Sequence, residues 1–391
     1  MCYMNISMYN KHCCGCGECF VVCPTKAITM KKNKDGFFYP VVNLKKCIDC
    51  SLCINHCSFN NYSTDTEQNK IKFSVAVKHQ DESVRENSRS GGIFTALSDW
   101  VLELGGVVYG CKLLDYRKAM HVRAASKEER DDLRGSKYIQ SIVSNTFQMV
   151  KNDLKNDLYV LYSGTPCQIN AIRDYCKDIN CDKLILIDIV CHGVPSQKVW
   201  EDYVTYLSRI YKSKVKHVDF RDKKKFGWAA HKETFAFENG KEYSGNVFTK
   251  LFYSHLILRK DCFDCPYKNL SRVGDITIAD CWGIKEHYPQ FDDDKGVSLV
   301  IVNSEKGLQL WRRIEEIKTI EVDIDKVMQP CLKGNWDVPE EYVQFWKFYH
   351  RHSFKKVLDK YVSKKENWID WLKWTSIGIA KKVKKIITKG K

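Results

Sequence analysis

Two runs of closely spaced cysteines constrain the fold of the first sixty residues. Ten of the nineteen cysteines of this 391-residue chain lie within residues 1–57. Eight of them form two quartets with the spacing C-x2-C-x2-C-x3-C, namely Cys13, Cys16, Cys19 and Cys23, then Cys47, Cys50, Cys53 and Cys57. Three thiolates at this spacing wrap one corner of an iron–sulfur cubane, and the fourth leads to the neighbouring cluster. The pattern therefore predicts two 4Fe-4S clusters in a ferredoxin-type domain.

Each predicted cluster takes its fourth ligand from the other quartet. Cys13, Cys16 and Cys19 are expected to bind one cluster with Cys57, and Cys47, Cys50 and Cys53 the other with Cys23. Zinc is the main alternative, although zinc sites usually pair two C-x2-C units about 15 residues apart. Eight unligated buried thiols are the other alternative. Cys2 and Cys14 fit no ligand position and are interpreted as spectators.

The length of the chain and its lack of long apolar runs indicate the number of domains and the cellular compartment to expect. A chain of 391 residues predicts two or three domains. It has no run of about 18 apolar residues, and its first dozen residues lack the features of a signal peptide. We therefore expect a soluble, cytoplasmic protein. In that compartment cysteines serve metal binding or redox chemistry more often than disulfides.

The predicted fold class is α+β. We expect a two-cluster ferredoxin domain at 1–60, a polar linker at 61–72, a mixed α/β core in two parts at 73–165 and 166–330, and a basic helical tail at 331–391. Apolar strands at 158–162 and 184–190 are each followed by a loop and an apolar-periodic helix. Strand, loop and helix in repetition predict strands that are at least partly parallel.

Four cysteines of the core suggest a further metal site. Cys167 and Cys191 follow the two predicted strands, at the edge where open α/β sheets place their sites. Cys262 and Cys265 form an isolated C-x2-C. Together they predict a third cluster, with a zinc knuckle or unligated thiols as the alternatives.

Several motifs of the core resemble one known family. They are SGG (90–92), GSKYIQS (135–141), SGTPCQ (163–168), VCHGVPS (190–196), and CFDC (262–265) followed by DITIADCWG (275–283). In this order they resemble the family of coenzyme F420 hydrogenase/dehydrogenase beta subunits, over roughly 73–330 and with the fused ferredoxin that many members carry. The resemblance implies FAD and one 4Fe-4S cluster in the core, with Cys167, Cys191, Cys262 and Cys265 as that cluster's ligands. Substrates known in the family include coenzyme F420 and a chlorophyll derivative.

The resemblance also suggests where FAD would bind. Ser90, Gly91 and Gly92 open a predicted helix, so free backbone N–H groups would meet the pyrophosphate, although a plain helix start is the alternative. The GSKYIQS motif offers a cation and polar groups, which are Ser136, Lys137, Gln140 and Ser141. Gly164 and Thr165 precede Cys167 and would let the backbone approach both flavin and cluster.

Other polar residues are harder to assign from sequence. Arg221 and Lys223 would line an anionic substrate site, but a solvated basic loop is the interpretation that we favour. Asp280 is either a site residue or a cap. The isolated cysteines Cys111, Cys176, Cys181 and Cys331 are interpreted as small core residues. No catalytic acid or base is assigned.

The charge is concentrated at the C-terminus. The formal net charge is +15, and residues 350–391 contribute +10 of it, with thirteen basic and three acidic side chains. A basic, Trp-bearing amphipathic helix there suggests peripheral contact with the inner face of a membrane. A helix packed on the body and a frayed basic tail are the alternatives. No fold that binds nucleic acid accompanies the charge.

The predicted function is an FAD and iron–sulfur oxidoreductase. Electrons would pass between the ferredoxin-type clusters and a small two-electron substrate through FAD. The expected partner is a redox protein such as ferredoxin or another oxidoreductase. The alternatives are an electron-relay module that serves a partner enzyme and has no substrate of its own, and a degenerate family member kept for interaction.

Overall fold

The computed structural model describes residues 5–9, 12–62, 71–143 and 145–362. Three predictions fall wholly or mainly outside the described residues: the spectator role of Cys2, most of the linker, and the basic amphipathic helix of the tail. Along the described chain, strands and helices alternate as the sequence predicts.

The strands are β1 (Ile28–Lys32), β2 (Phe38–Val42), β3 (Phe73–His79), β4 (Val107–Leu114), β5 (Lys118–Ala124), β6 (Ser141–Ile142), β7 (Val160–Gly164), β8 (Leu184–Ile189), β9 (Val215–Asp219), β10 (Glu233–Phe237), β11 (Glu242–Gly245), β12 (Ile276–Asp280), β13 (Ser298–Val302) and β14 (Ile317–Glu321). The α-helices are α1 (Glu18–Val22), α2 (Leu52–Asn55), α3 (Glu82–Glu86), α4 (Ile93–Glu103), α5 (Lys127–Asp131), α6 (Thr146–Lys155), α7 (Pro166–Cys176), α8 (Gln197–Tyr211), α9 (Lys223–Phe226), α10 (Val247–Tyr253), α11 (Ile284–His287), α12 (Glu305–Trp311), α13 (Ile324–Val327), α14 (Tyr342–Tyr349) and α15 (Phe354–Tyr361).

The N-terminal domain has very little hydrophobic core. Its β1–β2 hairpin is antiparallel, with Ile28 opposite Val42, and α1 packs against α2. The buried residues of its own cluster are Ile6, Cys19, Ile28 and Cys53, and two of these are predicted metal ligands. A domain this small depends on bound metal or on a neighbouring domain for its stability.

A mixed nine-stranded sheet forms the centre of the core. Its order is β14-β3-β13-β12-β8-β7-β4-β5-β6. The neighbours β12, β8, β7 and β4 are parallel, whereas β13, β3 and β14 pair antiparallel on one side and β5 pairs antiparallel with β4 on the other. The prediction of partly parallel strands is confirmed, and both predicted parts of the core, 73–165 and 166–330, contribute strands to this one sheet.

Helices cover both faces of the central strands. On one face, Leu97 and Val101 of α4 pack with Leu161 of β7. On the other face, Ile169 and Ile172 of α7 pack in the same cluster as β7 and β8 residues. This two-sided burial explains why β7 and β8 appear in the sequence as continuous apolar runs.

A second, smaller sheet carries the C-terminal helices. Its order is β11-β10-β9, all antiparallel. Its apolar face packs with α8, α10, α14 and α15 in one aromatic-rich cluster that includes Trp200, Tyr203, Phe235 and Phe345.

Candidate functional site

Two small cavities of the N-terminal domain are each lined by a predicted set of four cysteines. One is lined by Cys13, Cys16, Cys19 and Cys57, with Cys14 as a fifth cysteine in its wall. The other is lined by Cys23, Cys47, Cys50 and Cys53. These are the two sets that the spacing predicts, including the exchange of the fourth ligand. Burial, together with the neighbouring thiols of Cys16, Cys13 and Cys57, raises the pKa of Cys19. Four sulfur donors around each cavity fit a 4Fe-4S cluster, because such a cluster is held by four thiolates.

The two cysteine loops share an unusual backbone. Gly15 and Gly17 have φ angles of 73° and 83°, and the corresponding Asp49 and Ser51 have φ angles of 51° and 57°. Left-handed residues are uncommon outside glycine. Such residues occur at the same two positions of both loops, so the two loops have the same backbone shape. This agrees with the prediction that each loop binds a cluster of the same kind.

The four cysteines of the core also come together. Cys167 lies in the first turn of α7, and Cys191 follows β8. Cys262 and Cys265 lie in and just after a short 3-10 turn, Lys260–Asp264. The pKa of Cys191 is raised mainly by burial, and further by the neighbouring thiols of Cys262, Cys167 and Cys265. The backbone N–H of Val194 points at the Cys262 Sγ, 3.4 Å away. Four neighbouring thiols with an amide donor form a donor set that fits a third cluster.

Cys14 lies between the first and third cysteine groups. Its buried thiol lies beside those of Cys16 and Cys167, and these two neighbours raise its pKa. The contact with Cys14 lowers the pKa of Cys167 to about 7. The sequence gives Cys14 no ligand position, and its bridging place depends on how the two domains pack.

Arg259 fastens the N-terminal domain to the core. Its guanidinium group is fully buried and donates to the carbonyl oxygens of Cys13 and Phe38, each at 2.6 Å. It also lies over the rings of Phe37 and Tyr39. Nearby, Asp261 accepts the backbone N–H of Cys13 at 3.0 Å. The loop of the first quartet is therefore held in place by residues next to the Cys262–Cys265 pair.

A cavity of about 720 Å³ opens beside the core cysteines. It lies at the carboxyl ends of β7, β8 and β12, which is the edge of the sheet where ligands of open α/β folds bind. Predicted site residues that line it are Ser90, Gly92, Ser136, Lys137, Gln140, Ser141, Gly164, Thr165, Cys167 and Cys191. Cys111 and Cys331, which the sequence analysis interprets as core residues, also contribute to its wall.

Gly91 is the predicted contact that does not line the cavity. Its N–H donates to Ser298 Oγ at 2.9 Å. A Cβ atom at this position would lie 2.1 Å from the carbonyl oxygen of Val77. Close packing against β3 and β13 therefore accounts for this glycine.

One side of the cavity is rich in buried and half-buried cations. Arg89, Arg134 and Arg221 line it, and each has at least one buried guanidinium nitrogen without a hydrogen-bond partner in the described part of the chain. Arg89 has two, Nε and Nη1. Burial lowers the pKa of Lys137, on the same side, to about 8. Because buried donors are normally satisfied, these orphan nitrogens indicate an anionic ligand. The sequence analysis missed Arg89 and Arg134, which lie in or next to the SGG and GSKYIQS motifs.

The interpretation of residues 220–228 as a solvated basic loop is wrong for Arg221. The run of basic residues favours a solvated loop, but Arg221 is only 3% exposed. It pairs with Asp280 at 2.5 Å and lies over the ring of Trp282. Lys223 is also held by the protein, because its Nζ donates to the carbonyl oxygens of Arg85, Ser90 and Lys295. The end of β12 thus meets this loop at the cavity wall, and Asp280 is a residue of the site.

Burial favours the neutral form of three histidines in the cavity wall. Burial lowers the pKa of His121 to about 4, of His192 to about 3 and of His231 to about 4. His121 Nε2 lies 2.9 Å from the carbonyl oxygen of Ser163, so Nε2 carries the proton. Its Nδ1 therefore accepts from the Ser141 hydroxyl at 2.6 Å. Because the Ser141 hydroxyl donates its hydrogen bond to His121, its oxygen lone pairs remain available to a group in the cavity.

The N-terminal domain and the cavity define the class of this protein. Two four-cysteine sites are packed against an α/β core whose ligand cavity adjoins further cysteines. This arrangement is that of an iron–sulfur electron-transfer subunit of the oxidoreductase type. Among the described residues, no helix is long and apolar enough to cross a membrane.

Comparisons with known proteins agree with this class. Residues 158–326 match the family described as the C terminus of the coenzyme F420 hydrogenase/dehydrogenase beta subunit, and residues 12–61 match the 4Fe-4S dicluster domain. The F subunit of the F420H2 dehydrogenase of Methanosarcina mazei is 21% identical over 327 residues, which cover 78% of this chain and 89% of that protein. An uncharacterized ferredoxin of Methanocaldococcus jannaschii is 30% identical over 57 residues, 15% of this chain and 73% of that protein. A structure of the F420-reducing [NiFe] hydrogenase complex from Methanosarcina barkeri aligns with a TM-score of 0.47 and 19% identity, over 76% of this chain and 91% of that chain. Residues 158–326 thus form a domain of the kind found at the C terminus of coenzyme F420 hydrogenase/dehydrogenase beta subunits, and residues 12–61 form a 4Fe-4S dicluster domain.

Proposed function

We propose that this protein passes electrons between the clusters of its dicluster domain and a small two-electron substrate, through FAD bound in the large cavity. The observation that carries the proposal is the position of the cavity. Its wall includes Cys14, Cys16, Cys167 and Cys191 as well as Arg89, Arg134 and Arg221, which have orphan nitrogens. Metal-ligating sulfur and donors for an anion thus meet around one space of about 720 Å³.

The cavity fits FAD in size and charge. A dinucleotide carries two phosphates, and guanidinium nitrogens without a partner can bind phosphate through charge-assisted hydrogen bonds. Arg89 and Arg134 have such nitrogens, although each is also paired with an aspartate, Asp219 or Asp131. We assign Arg89, Arg134 and Lys137 to the pyrophosphate, with Ser90 and Gly92 at the start of α4 beside them. Ser136, Gln140, Ser141, Gly164 and Thr165 would contact the remainder of the cofactor. When bound, FAD would exchange two electrons with a substrate and single electrons with iron–sulfur clusters.

We assign Cys167, Cys191, Cys262 and Cys265 to a third 4Fe-4S cluster. The four thiols are each partly exposed, two of them at the wall of the large cavity, and the Val194 N–H would stabilise negative charge on the Cys262 sulfur. The position of Cys14 beside both Cys16 and Cys167 supports a location of this donor set next to that of the first quartet. These contacts support an electron path within one chain, from the dicluster domain to the cavity.

The substrate and the partner follow from the relatives. The M. mazei relative is named as a subunit of an F420H2 dehydrogenase. A deazaflavin such as coenzyme F420 is therefore one candidate substrate, and a ferredoxin or another oxidoreductase is the proposed partner. Thiolate-ligated clusters of this kind suit a reducing compartment, so we place the protein in the cytoplasm. The proposed membrane contact of the basic tail rests on residues 363–391, outside the described chain.

The decisive experiment is a cofactor inventory of protein purified without oxygen. We expect about twelve iron atoms, four for each of three cubanes, and one FAD per chain. Replacing both Cys262 and Cys265 by serine should lower the iron content to about eight atoms while the dicluster signal stays. Cys176→Ser is the matched control, because Cys176 is a buried core thiol away from the cavity wall.

The iron content and the FAD content test different parts of the proposal. Unchanged iron in the double variant would contradict the third cluster. Full iron without FAD would favour the relay module that has no substrate of its own. If both cofactors are present, turnover with reduced ferredoxin and a series of two-electron acceptors, coenzyme F420 among them, identifies the substrate.

A further inference from the structure

A second group of potential metal ligands lies outside the cysteine sites. Glu18 of α1, His56 just after α2 and Asp174 of α7 meet where the dicluster domain packs on the core. One ligand atom from each residue lies within 4.8 Å of the other two. His56 Nδ1 is 2.5 Å from Asp174 Oδ2. The comparisons and the family motifs give these residues no role.

Glu18 has an oxygen atom without a partner. Its side chain is fully buried. Oε2 accepts the backbone N–H of Ser58 at 3.3 Å, whereas Oε1 is buried and has no hydrogen-bond partner in the described part of the chain. The Asp174 carboxyl group lies within hydrogen-bonding reach of the Glu18 carboxyl group. A buried carboxylate beside a second carboxylate is costly unless a proton or a cation lies between them.

The donor set suits a divalent transition-metal ion. One imidazole nitrogen and two carboxylate oxygens are ligands that Zn²⁺ accepts, in a tetrahedral site completed by water. His56 and Asp174 are 23% and 24% exposed, so an ion and its water can enter from solvent. Lys177 holds Asp174 Oδ1 at 2.8 Å, which fixes the carboxylate and leaves Oδ2 facing His56.

We propose that Glu18, His56 and Asp174 bind one Zn²⁺ ion that fastens the dicluster domain to α7. The ion is separate from the clusters, since its ligands are nitrogen and oxygen only. Two ligands come from the dicluster domain and one from the core, so binding adds stability to the contact between them.

The test uses the holoprotein with its clusters in place. Protein purified without oxygen is incubated with ZnSO₄, passed through a desalting column and analysed for zinc, iron and sulfide. We expect one zinc ion per chain, with iron and sulfide unchanged. X-ray absorption at the zinc edge should show only nitrogen and oxygen neighbours at about 2.0–2.2 Å.

Two variants and one control complete the design. Asp174→Asn and His56→Gln should each lose the zinc and keep the iron. His350→Gln is the matched control, because His350 and Asp35 form a similar pair at 2.6 Å outside this group, and it should retain the zinc. Wild-type protein without bound zinc would overturn the proposal and leave a shared proton between the two carboxyl groups. Zinc with sulfur neighbours, or zinc retained by both variants, would also overturn it. None of these results depends on FAD or on the third cluster.

Discussion

The side-chain amide of Gln140 donates to the carbonyl oxygen of Cys14, with 3.0 Å between Nε2 and the oxygen. Its Oε1 accepts from Arg259 Nη2 at 3.2 Å. Gln140 also lines the large cavity. One buried amide thus joins the loop of the first cysteine quartet, the arginine that holds this loop, and the ligand cavity.

The first prediction concerns this amide. Gln140→Leu leaves the Arg259 donor and the Cys14 carbonyl without their partner, and a buried unsatisfied group costs about 1–3 kcal/mol. We expect the free energy of unfolding in urea, measured without oxygen, to fall by that amount. Gln80→Leu is the control, because Gln80 is exposed and makes a single bond of 3.3 Å to the Ile317 carbonyl. Equal stability of the two variants would contradict the role given to Gln140.

The second prediction concerns the anion donors. Replacing Arg89 by Leu removes two orphan nitrogens from the cavity wall. Hydrogen bonds to charged groups contribute about 1.5–3 kcal/mol each, so FAD affinity should fall about 10- to 100-fold. The measurement is titration of flavin-depleted protein with FAD, followed by flavin fluorescence.

A matched variant separates the cavity from the ion pair of the same arginine. Arg89 Nη2 also binds Asp219 Oδ1 at 2.6 Å. Asp219→Asn weakens this ion pair but leaves Arg89 in the wall, so it should keep most of the affinity. If Asp219→Asn lost as much affinity as Arg89→Leu, the effect would be structural and Arg89 would not be an anion donor.

The third prediction is a pH dependence of ligand binding. Burial lowers the pKa of Lys137 to about 8; Cys111 and Asp132 act in the opposite direction, and Arg89 and Lys112 act in the same direction. Lys137 is charged below its pKa and neutral above it. An anionic ligand should therefore bind more tightly at pH 7 than at pH 9, and the ligand-bound protein should show a higher pKa.

The check is FAD affinity between pH 6.5 and 9.5. Lys137→Met should bind FAD more weakly at neutral pH and lose most of the change near pH 8. A variant that kept the wild-type pH profile would assign the titration to another group.

The cysteine sets could be predicted from sequence because their geometry is local. A C-x2-C-x2-C loop brings three thiols together whatever the rest of the chain does. For Cys167, Cys191, Cys262 and Cys265 the strand ends and the isolated C-x2-C suggest a shared site but leave zinc open, and the resemblance to a family favours a cluster. The grouping depends on strands that are distant in the sequence being neighbours in the sheet. The helix expected after β7 begins at Pro166, since proline suits the first helical position and the Gln168 side chain accepts the Thr165 N–H at 3.1 Å.

Other features depend on packing that no local pattern records. The β4–β5 hairpin turns at Asp115 and Tyr116, whose φ angles are 48° and 56°. This turn lacks the Asn-Gly or Asp-Gly pair that usually marks a tight hairpin, so the sequence does not predict β5. In the same way, charge runs usually indicate solvated loops, and only the pairing of Arg221 with Asp280 shows why this arginine is buried.

The last prediction concerns a buried ion pair that positions the core cysteines. Asp188, near the end of β8, contacts Arg272 and accepts from Thr277 Oγ1 at 2.6 Å. Arg272 donates to the carbonyl oxygen of Tyr267 at 2.8 Å. The pair therefore joins the strand that precedes Cys191 to the segment that follows Cys265.

Removing one partner leaves the other charge buried. Asp188→Asn should lower the free energy of unfolding by about 3–5 kcal/mol, because both side chains are almost completely inaccessible. The double variant Asp188→Leu with Arg272→Met removes both charges and should lose less than the sum of the two single variants. Asp359→Asn is the control: its pair with Lys355 is more than half exposed on both sides and should change stability by less than about 1 kcal/mol. Since the pair joins the segments that carry Cys191 and Cys265, Asp188→Asn should also release iron from the proposed third cluster before it affects the dicluster domain. Absorption during unfolding would detect this order. Simultaneous loss of all iron would show that the pair stabilises the whole chain and has no specific effect on that site.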